Sequence, residues 1–274
     1  MIIGAADTGK TTLGRLLVAD ALAEGRRAAY VDADVAAATV GPPACVGMKR
    51  LRSVADLADL QDADELRFVG SVVPDSVVLS HVVAASALVD RARRDADLVV
   101  LDTTGVVAGV VGQTLKYHMM ELCDPSIVIA LQRGEEMEPI VGMLKRFLGA
   151  RVARTAPPPE QVPMGPMERQ DAMRKAFAAA LPSPLERWRV QTTVFAPTLP
   201  EGFHLEKLAG MLVGIQDATG GCLGLGVLEH IDGVLRVATR HGEAMRGLRL
   251  GSMRLDLETY AASQLRLRQL FFGI

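Results

Sequence analysis

The chain is poor in the features that mark several large functional classes. Aromatic residues make up 4% of its 274 residues, too few for a broad base-stacking platform. Its three cysteines, Cys45, Cys123 and Cys222, are far apart and form no CxxC pair. Such a sparse, odd set reads as reduced thiols of a cytoplasmic protein, not as a disulfide framework. No run approaches the ~20 apolar residues of a bilayer span. The apolar start, Met1–Ile3, is far shorter than a signal-peptide core, so no membrane association is expected. Charge of a single sign is missing as well. Thirty basic and 32 acidic side chains leave a net charge of -2. That excludes a protein that coats nucleic acid through bulk positive charge, but not an enzyme with one local basic groove. Lysine is scarce: six of the 30 basic residues, the rest arginine, whose planar fork suits phosphate. The five histidines show no metal-ligand spacing.

Hydrophobic residues at 49% and charged residues at 23% describe a globular chain of one large domain, or one large and one small. Over the first 150 residues short apolar runs alternate with helical patterns. Strand signals fall at Met1–Gly4, Arg27–Val31, Leu66–Val69, Leu98–Leu101 and Ser126–Leu131. Helix signals fall at Lys10–Glu24, Val77–Arg94, Leu115–Cys123 and Glu136–Leu148. This alternation predicts an α/β fold with a parallel sheet and helices on both faces. Residues 155–184 are proline-rich and enclose a charged helical piece, Met167–Leu181, the pattern of a lid or linker. From Trp188 onward the pattern is β, and Asp232-Gly233 between two apolar runs predicts a hairpin. The expected division is a domain over 1–186, with a lid near 155–184, and a small, mostly antiparallel β domain over 187–274. Arg187 and Arg189, beside Trp188 at that junction, suit either a nucleic-acid contact or a hinge contact. Phe271-Phe272 are expected to dock on the body.

Gly4-Ala5-Ala6-Asp7-Thr8-Gly9-Lys10-Thr11 matches GxxxxGK[ST] between a strand and a helix, with Thr12 following. Glycines let such a backbone wrap a phosphate, and the helix N-terminus adds positive potential. Lys10 is expected at the β/γ-phosphates and Thr11 in a Mg²⁺ shell, which makes this a P-loop nucleotide site. Two apolar strands end in carboxylates, Asp32-Ala33-Asp34 and Asp102-Thr103-Thr104-Gly105. Ligands of open α/β sheets bind at the carboxyl ends of strands, so both clusters should face the nucleotide. One carboxylate can hold a metal and another can accept a proton; spacing leaves the assignment among Asp32, Asp34 and Asp102 open. Asp102–Gly105 also fits DxxG, the γ-phosphate sensor of GTPases. The guanine-reading [NT]KxD is missing where it would follow, at Gln132-Arg133-Gly134-Glu135-Glu136.

These pieces in order resemble the polynucleotide 5′-hydroxyl kinases, the family of the RNA kinase subunit of mRNA cleavage complexes and of rRNA-processing kinases. The resemblance uses Gly4–Thr12, Asp32-x-Asp34 with Gly41-Pro42-Pro43, Phe68–Ser71 with Pro74, Asp102–Gly105 and Ile127–Arg133. It continues through Leu212–Asp217, Leu223–Gly226 and Leu250-Gly251, and so spans nearly the whole chain. It implies ATP-dependent phosphorylation of a nucleic-acid 5′-hydroxyl, with RNA favoured over DNA. It further implies that Lys10 and Thr11 hold ATP and Mg²⁺, and that Asp32 and Asp34 supply metal contact and base. Thr103, Thr104 and Gly105 would clasp the transferring phosphoryl group, and lid arginines Arg169 and Arg174 would neutralise it.

Four departures from the family pattern stand out. DxDxGQ reads Asp32-Ala33-Asp34-Val35-Ala36-Ala37 here, with alanine in place of both Gly and Gln. Val106 follows the clasp where Trp is frequent. The lid arginines are one residue wider than RxxxR. The family's β-rich N-terminal domain has no counterpart ahead of Gly4 in this chain. Two other readings follow: a weakly catalytic ATP-binding assembly subunit of an RNA-processing complex, and a GTPase or ATPase switch.

Overall fold

The structure, a computed structural model, describes residues 1–158 and 162–266. Phe271-Phe272 lie outside the described residues. In chain order the strands are β1 (Ile2–Gly4), β2 (Ala28–Ala33), β3 (Cys45–Leu51), β4 (Glu65–Phe68), β5 (Leu98–Thr103), β6 (Val128–Leu131), β7 (Val152–Thr155), β8 (Glu186–Arg189), β9 (Met211–Gln216), β10 (Cys222–Ile231), β11 (Val234–Thr239), β12 (Gly247–Leu255) and β13 (Ala262–Gln264). The helices are α1 (Lys10–Ala23), α2 (Val78–Ala92), α3 (Gly109–Cys123), α4 (Glu138–Leu148) and α5 (Pro166–Ala180).

Five strands run parallel in the order β2-β5-β1-β6-β7. All six residues of β2 are buried, which is why it reads as a continuous apolar run and not as an alternation. Successive side chains serve opposite faces. Ala29, Val31 and Ala33 pack with α2, α3 and α4, around Leu88, Leu115 and Leu144. Ala28 and Tyr30 pack with α1 on the other face. Helices therefore cover both faces, as the alternation predicts. Each of those three leucines is fully buried, so truncation to alanine is expected to cost about 2–5 kcal/mol.

Beside β2 the sheet turns antiparallel. β3 pairs with β2 and with β4, and the strand order continues β4-β10-β9-β12-β13. A single registered pair, Cys222 with Leu66, joins β10 to β4. The β-rich C-terminal strands thus extend the parallel sheet. α5 packs on one face of this antiparallel half, burying Phe177 and Leu181 against Leu212, Leu225 and Val227. Asp232 (φ 53°) and Gly233 (φ 74°) form the turn between β10 and β11, the positive-φ pair that a two-residue hairpin needs.

β3 is the element that the sequence pattern does not announce. Its interior carries Gly47, Lys49 and Arg50, so it lacks both an apolar run and a clean alternation. Pairing on both sides makes it a strand, and Gly47 is required because a side chain there would meet the Val40 carbonyl. β7 is similarly hidden, with only its first residue partly covered.

Candidate active site

The carboxyl ends of β1, β2, β5 and β6 lie along one edge of the parallel half, and every candidate loop leaves from there. The phosphate loop runs from Gly4 to α1. Gly9 takes φ 85° as the cap of α1, and Asp7 takes φ 55°. Lys10 is buried and its Nζ donates to the Ala5 carbonyl at 2.8 Å; the Thr8 hydroxyl donates to the same oxygen at 2.9 Å. The loop is thus held in a closed ring by its own side chains, with the lysine folded back across it.

The Asp102 loop closes on the phosphate loop from the side. A Cβ on Gly105 would lie 2.6 Å from the Ala6 nitrogen, so only glycine permits this approach. Thr11 Oγ1 donates to Asp102 Oδ2 at 2.6 Å, and the Tyr30 hydroxyl donates to the same oxygen at 2.8 Å. Asp102 Oδ1 is buried and has no hydrogen-bond partner among the described residues. Burial raises the Asp102 carboxyl above the ordinary range, against the pull of Thr11 and Tyr30. An orphaned carboxylate oxygen next to a threonine hydroxyl suits a hard cation that takes one or two protein oxygens and completes its shell with phosphate and water. Mg²⁺ fits that donor set.

Asp32 and Asp34 look equivalent in the sequence and differ in the structure. Asp32 is buried beside Asp102 in register. Its Oδ1 accepts from the Asp34 amide at 2.8 Å; its Oδ2 accepts from Thr39 at 2.5 Å and Val40 at 3.0 Å. Burial, then the neighbouring Asp102 and Asp34 charges, push its carboxyl well upward. Its oxygens are thus spent on shaping the loop after β2. Asp34 is only half-buried. One oxygen accepts from the Ala36 and Ala37 amides, both at 3.2 Å, and the other makes no protein hydrogen bond among the described residues.

The two clasp threonines also diverge. The Thr103 hydroxyl donates to the Ile2 carbonyl at 2.8 Å, tying β5 to β1 below the loop. Thr104 is buried, and its carbonyl accepts from Lys116 Nζ at 2.6 Å. Lys116 on α3 is fully enclosed, and burial, then the Lys10 charge, lower its pKa to about 7. Asp34 and Asp102 pull the other way. His81 of α2 also stands near; its Nε2 contacts the Ala33 carbonyl at 2.7 Å, and burial lowers its pKa to about 4.

The proline-rich segment reaches the phosphate loop through Asp7. Asp7 Oδ2 accepts from Arg169 at 2.6 Å and from the Met164 amide at 3.0 Å, while the Asp7 carbonyl accepts from Arg133 at 2.6 Å. Arg174, further along α5, pairs with Asp171 of its own helix at 3.7 Å. The structure therefore brings Arg169 to the loop; Arg174 has no contact there among the described residues.

Tyr30, Lys116 and His81 are site neighbours that motif reading does not pick out, and Arg133, the last residue of the Ile127–Arg133 piece, is given no role by it. Tyr30 carried a signal, since it precedes Asp32 by two on a strand and so shares its face. Lys116 carried one too, as a lysine within the apolar stripe of α3.

Residues 4–178 match the family described as mRNA cleavage and polyadenylation factor CLP1 P-loop. The whole chain is 26% identical to a polyribonucleotide 5′-hydroxyl-kinase of Pyrococcus furiosus, over 86% of that protein. A polyribonucleotide 5′-hydroxyl-kinase of Pyrococcus abyssi is 35% identical over 52% of this chain and 40% of its own length. A solved structure of wild-type Clp1p with Pcf11p superposes on 92% of this chain and 73% of its own, with a TM-score of 0.67 and 12% identity, a likeness of fold.

Proposed function

The chain belongs to the CLP1 P-loop family, and from that premise we propose that it is an ATP-dependent polynucleotide 5′-hydroxyl kinase. The observation that carries this reading is the closing of two further elements on the phosphate loop: the Gly105 clasp against Ala6 and Arg169 of α5 on Asp7. In-line phosphoryl transfer demands little covalent chemistry from a protein. It demands positioning and charge neutralisation, and these loops supply them.

On this reading Lys10 leaves the Ala5 carbonyl for the β- and γ-phosphates of ATP, and the amides of Ala6–Thr11 wrap them. Thr11 and Asp102, with Asp34 or Asp32 nearby, would hold Mg²⁺, which draws charge from the phosphate oxygens. Asp34 accepts the proton of the attacking 5′-hydroxyl; its oxygen without a protein bond supports that role. Asp32 holds the loop that carries Asp34. Thr104 and Gly105 clasp the phosphoryl group, with Thr103 fixing the strand beneath them, and Arg169 swings from Asp7 to its charge. Arg174 joins it only if α5 moves. Residues 1–186 carry this chemistry, and the strands from 187 onward form the accessory β part. RNA is the favoured substrate. The cysteines are free, and among the described residues no helix is long and apolar enough to cross a membrane, which supports a cytoplasmic setting.

The test is transfer from γ-labelled ATP to short 5′-hydroxyl RNA and DNA, with Lys10→Ala and Asp34→Ala as controls. Transfer by the wild type that disappears in both variants is the expected result. Intact ATP binding without transfer would replace the kinase by an ATP-binding assembly subunit, a reading favoured by Ala36-Ala37 in place of a polar side chain. Preference for GTP with no transfer would favour the switch.

A further inference from the structure

The antiparallel half carries a basic cluster that the phosphate chemistry does not use. In register, Arg236 of β11 lies opposite Arg189 of β8, Ala238 opposite Arg187, and Glu229 of β10 opposite Arg236. Alternation places Arg187, Arg189, Arg236 and Glu229 on one sheet face. Arg187 Nε donates to Glu229 Oε2 at 2.8 Å, so the one carboxylate in the group is engaged. Among the described residues Arg189 and Arg236 have no acidic partner, no side-chain hydrogen bond and no ring contact. Directly opposed like charges destabilise a strand pair. With Glu229 engaged by Arg187, Arg189 on the edge strand β8 and Arg236 on its neighbour leave an excess of positive charge on this face, and guanidinium forks match phosphate oxygens.

Three observations say which anion. A cleft of about 350 Å³ at the end of β8 is lined by Arg189, by Gln191, Thr192 and Thr193, which offer further hydrogen bonds to phosphate or ribose, and by Val190 and Leu235 of the opposite face; Arg236 lies outside it. The single tryptophan, Trp188, alternates to the opposite face and donates to Glu186 at 3.1 Å, so it does not stand beside the arginines to stack a base. Lastly, the face is the one on which α5 packs: Val227, two residues before Glu229, shares a core with Phe177. α5 has 15 residues, about 22 Å at 1.5 Å each, and its N-terminal turn reaches the phosphate loop through Arg169. α5 thus joins the phosphate loop to this sheet face, and a strand that ran from the loop along α5 would reach the arginine pair several nucleotides from its 5′ end.

We infer that Arg189 and Arg236 form a docking site for the sugar–phosphate backbone of the single strand that trails the 5′ end, independent of sequence. The inference rests on the kinase reading for the direction of the strand. Its test does not need turnover. Binding of 5′-phosphorylated RNAs of three and of about twelve nucleotides is followed by fluorescence anisotropy across a salt series. The proteins are the wild type, Arg189→Ala/Arg236→Ala and Arg189→Lys/Arg236→Lys. The alanine pair is expected to weaken the longer RNA at least about tenfold at low salt. It should also flatten the salt slope by about 1.4, at ~0.7 per lost single-strand phosphate contact. The trimer should bind as in the wild type, and the lysine pair should keep the slope. An unchanged longer RNA would overturn the inference and leave the arginines as guards of an exposed sheet edge. Equal loss for both lengths would also overturn it, since the defect would then lie at the phosphate loop. A wild type that binds the longer RNA through these arginines but transfers no phosphate would retain the docking site while removing the kinase reading.

Discussion

Replacing Lys116 by methionine is expected to stabilise the protein at neutral pH and to lose that advantage in alkali. The Lys116 amine is fully buried and, among the described residues, has a single hydrogen bond, to the Thr104 carbonyl. Its pKa falls from 10.5 to about 7. At about 1.4 kcal/mol per unit, keeping it charged in the fold costs about 5 kcal/mol relative to water. Between pH 7 and 10.5 the unfolded chain binds the proton and the folded one releases it. Wild-type stability therefore rises with pH across that window, and below pH 7 the full penalty applies. Methionine removes the penalty but leaves the Thr104 carbonyl unbonded, which costs about 1–3 kcal/mol. The variant should exceed the wild type by about 2–4 kcal/mol at pH 6.5. By pH 9 the wild type regains about 3 kcal/mol, and the difference should fall to near zero or reverse. Urea midpoints followed by far-UV circular dichroism at the two pH values, without nucleotide, measure this. A difference that does not move with pH, or a variant weaker at both, would refute the assignment of a desolvated amine under the clasp. Phosphate transfer by the variant should drop, because the Thr104 main chain loses its anchor.

Three further outcomes are expected. His81 holds a pKa of about 4 against 6.5, so between those values the unfolded chain binds more protons; acid should remove about 3 kcal/mol, and a His81→Leu variant should lack that slope in acid-unfolding curves. Gly105→Ala sets a methyl 2.6 Å from the Ala6 nitrogen and should weaken ATP binding at least about tenfold by calorimetry. Gly142→Ala, in open space on α4, is the control and should raise the melting temperature slightly. Thr103→Val frees the buried Ile2 carbonyl and should cost about 1–2 kcal/mol in denaturant unfolding, whereas Thr104→Val should act mainly on transfer rate.

The legible parts of this chain are those where a local pattern has one meaning. The phosphate loop is a contiguous motif, and Asp232-Gly233 allows one turn. Long apolar runs such as β2 and β5 show a doubly covered sheet before any contact is known. What stays hidden depends on partners remote in sequence. β3 is a strand because β2 and β4 flank it, not because of its own pattern. Asp32 and Asp34 are two residues apart, yet the Thr39 and Val40 amides claim one and leave the other half-exposed. Thr103 and Thr104 separate because β5 ends between them: the Thr103 hydroxyl ties the strand to the Ile2 carbonyl, while Thr104, beyond the strand, gives its carbonyl to Lys116. Arg169 and Arg174 are five residues apart on a helix, far enough round it for one to reach Asp7 while the other pairs within α5.

The single pair Cys222–Leu66 also sets an order of events during synthesis. β4 must wait for β10, which follows 156 residues later in the chain. At about 5–20 residues per second, that edge stands bare on the ribosome for roughly 8–30 s. A bare hydrophobic edge invites pairing with other chains. β4 meets the interval with a charged residue at every second position, Glu65 and Arg67, and Glu65 is held by Arg50 and Arg91, both translated long before β10. The alternation of charge along β4 thus protects a nascent chain while its partner is still being made.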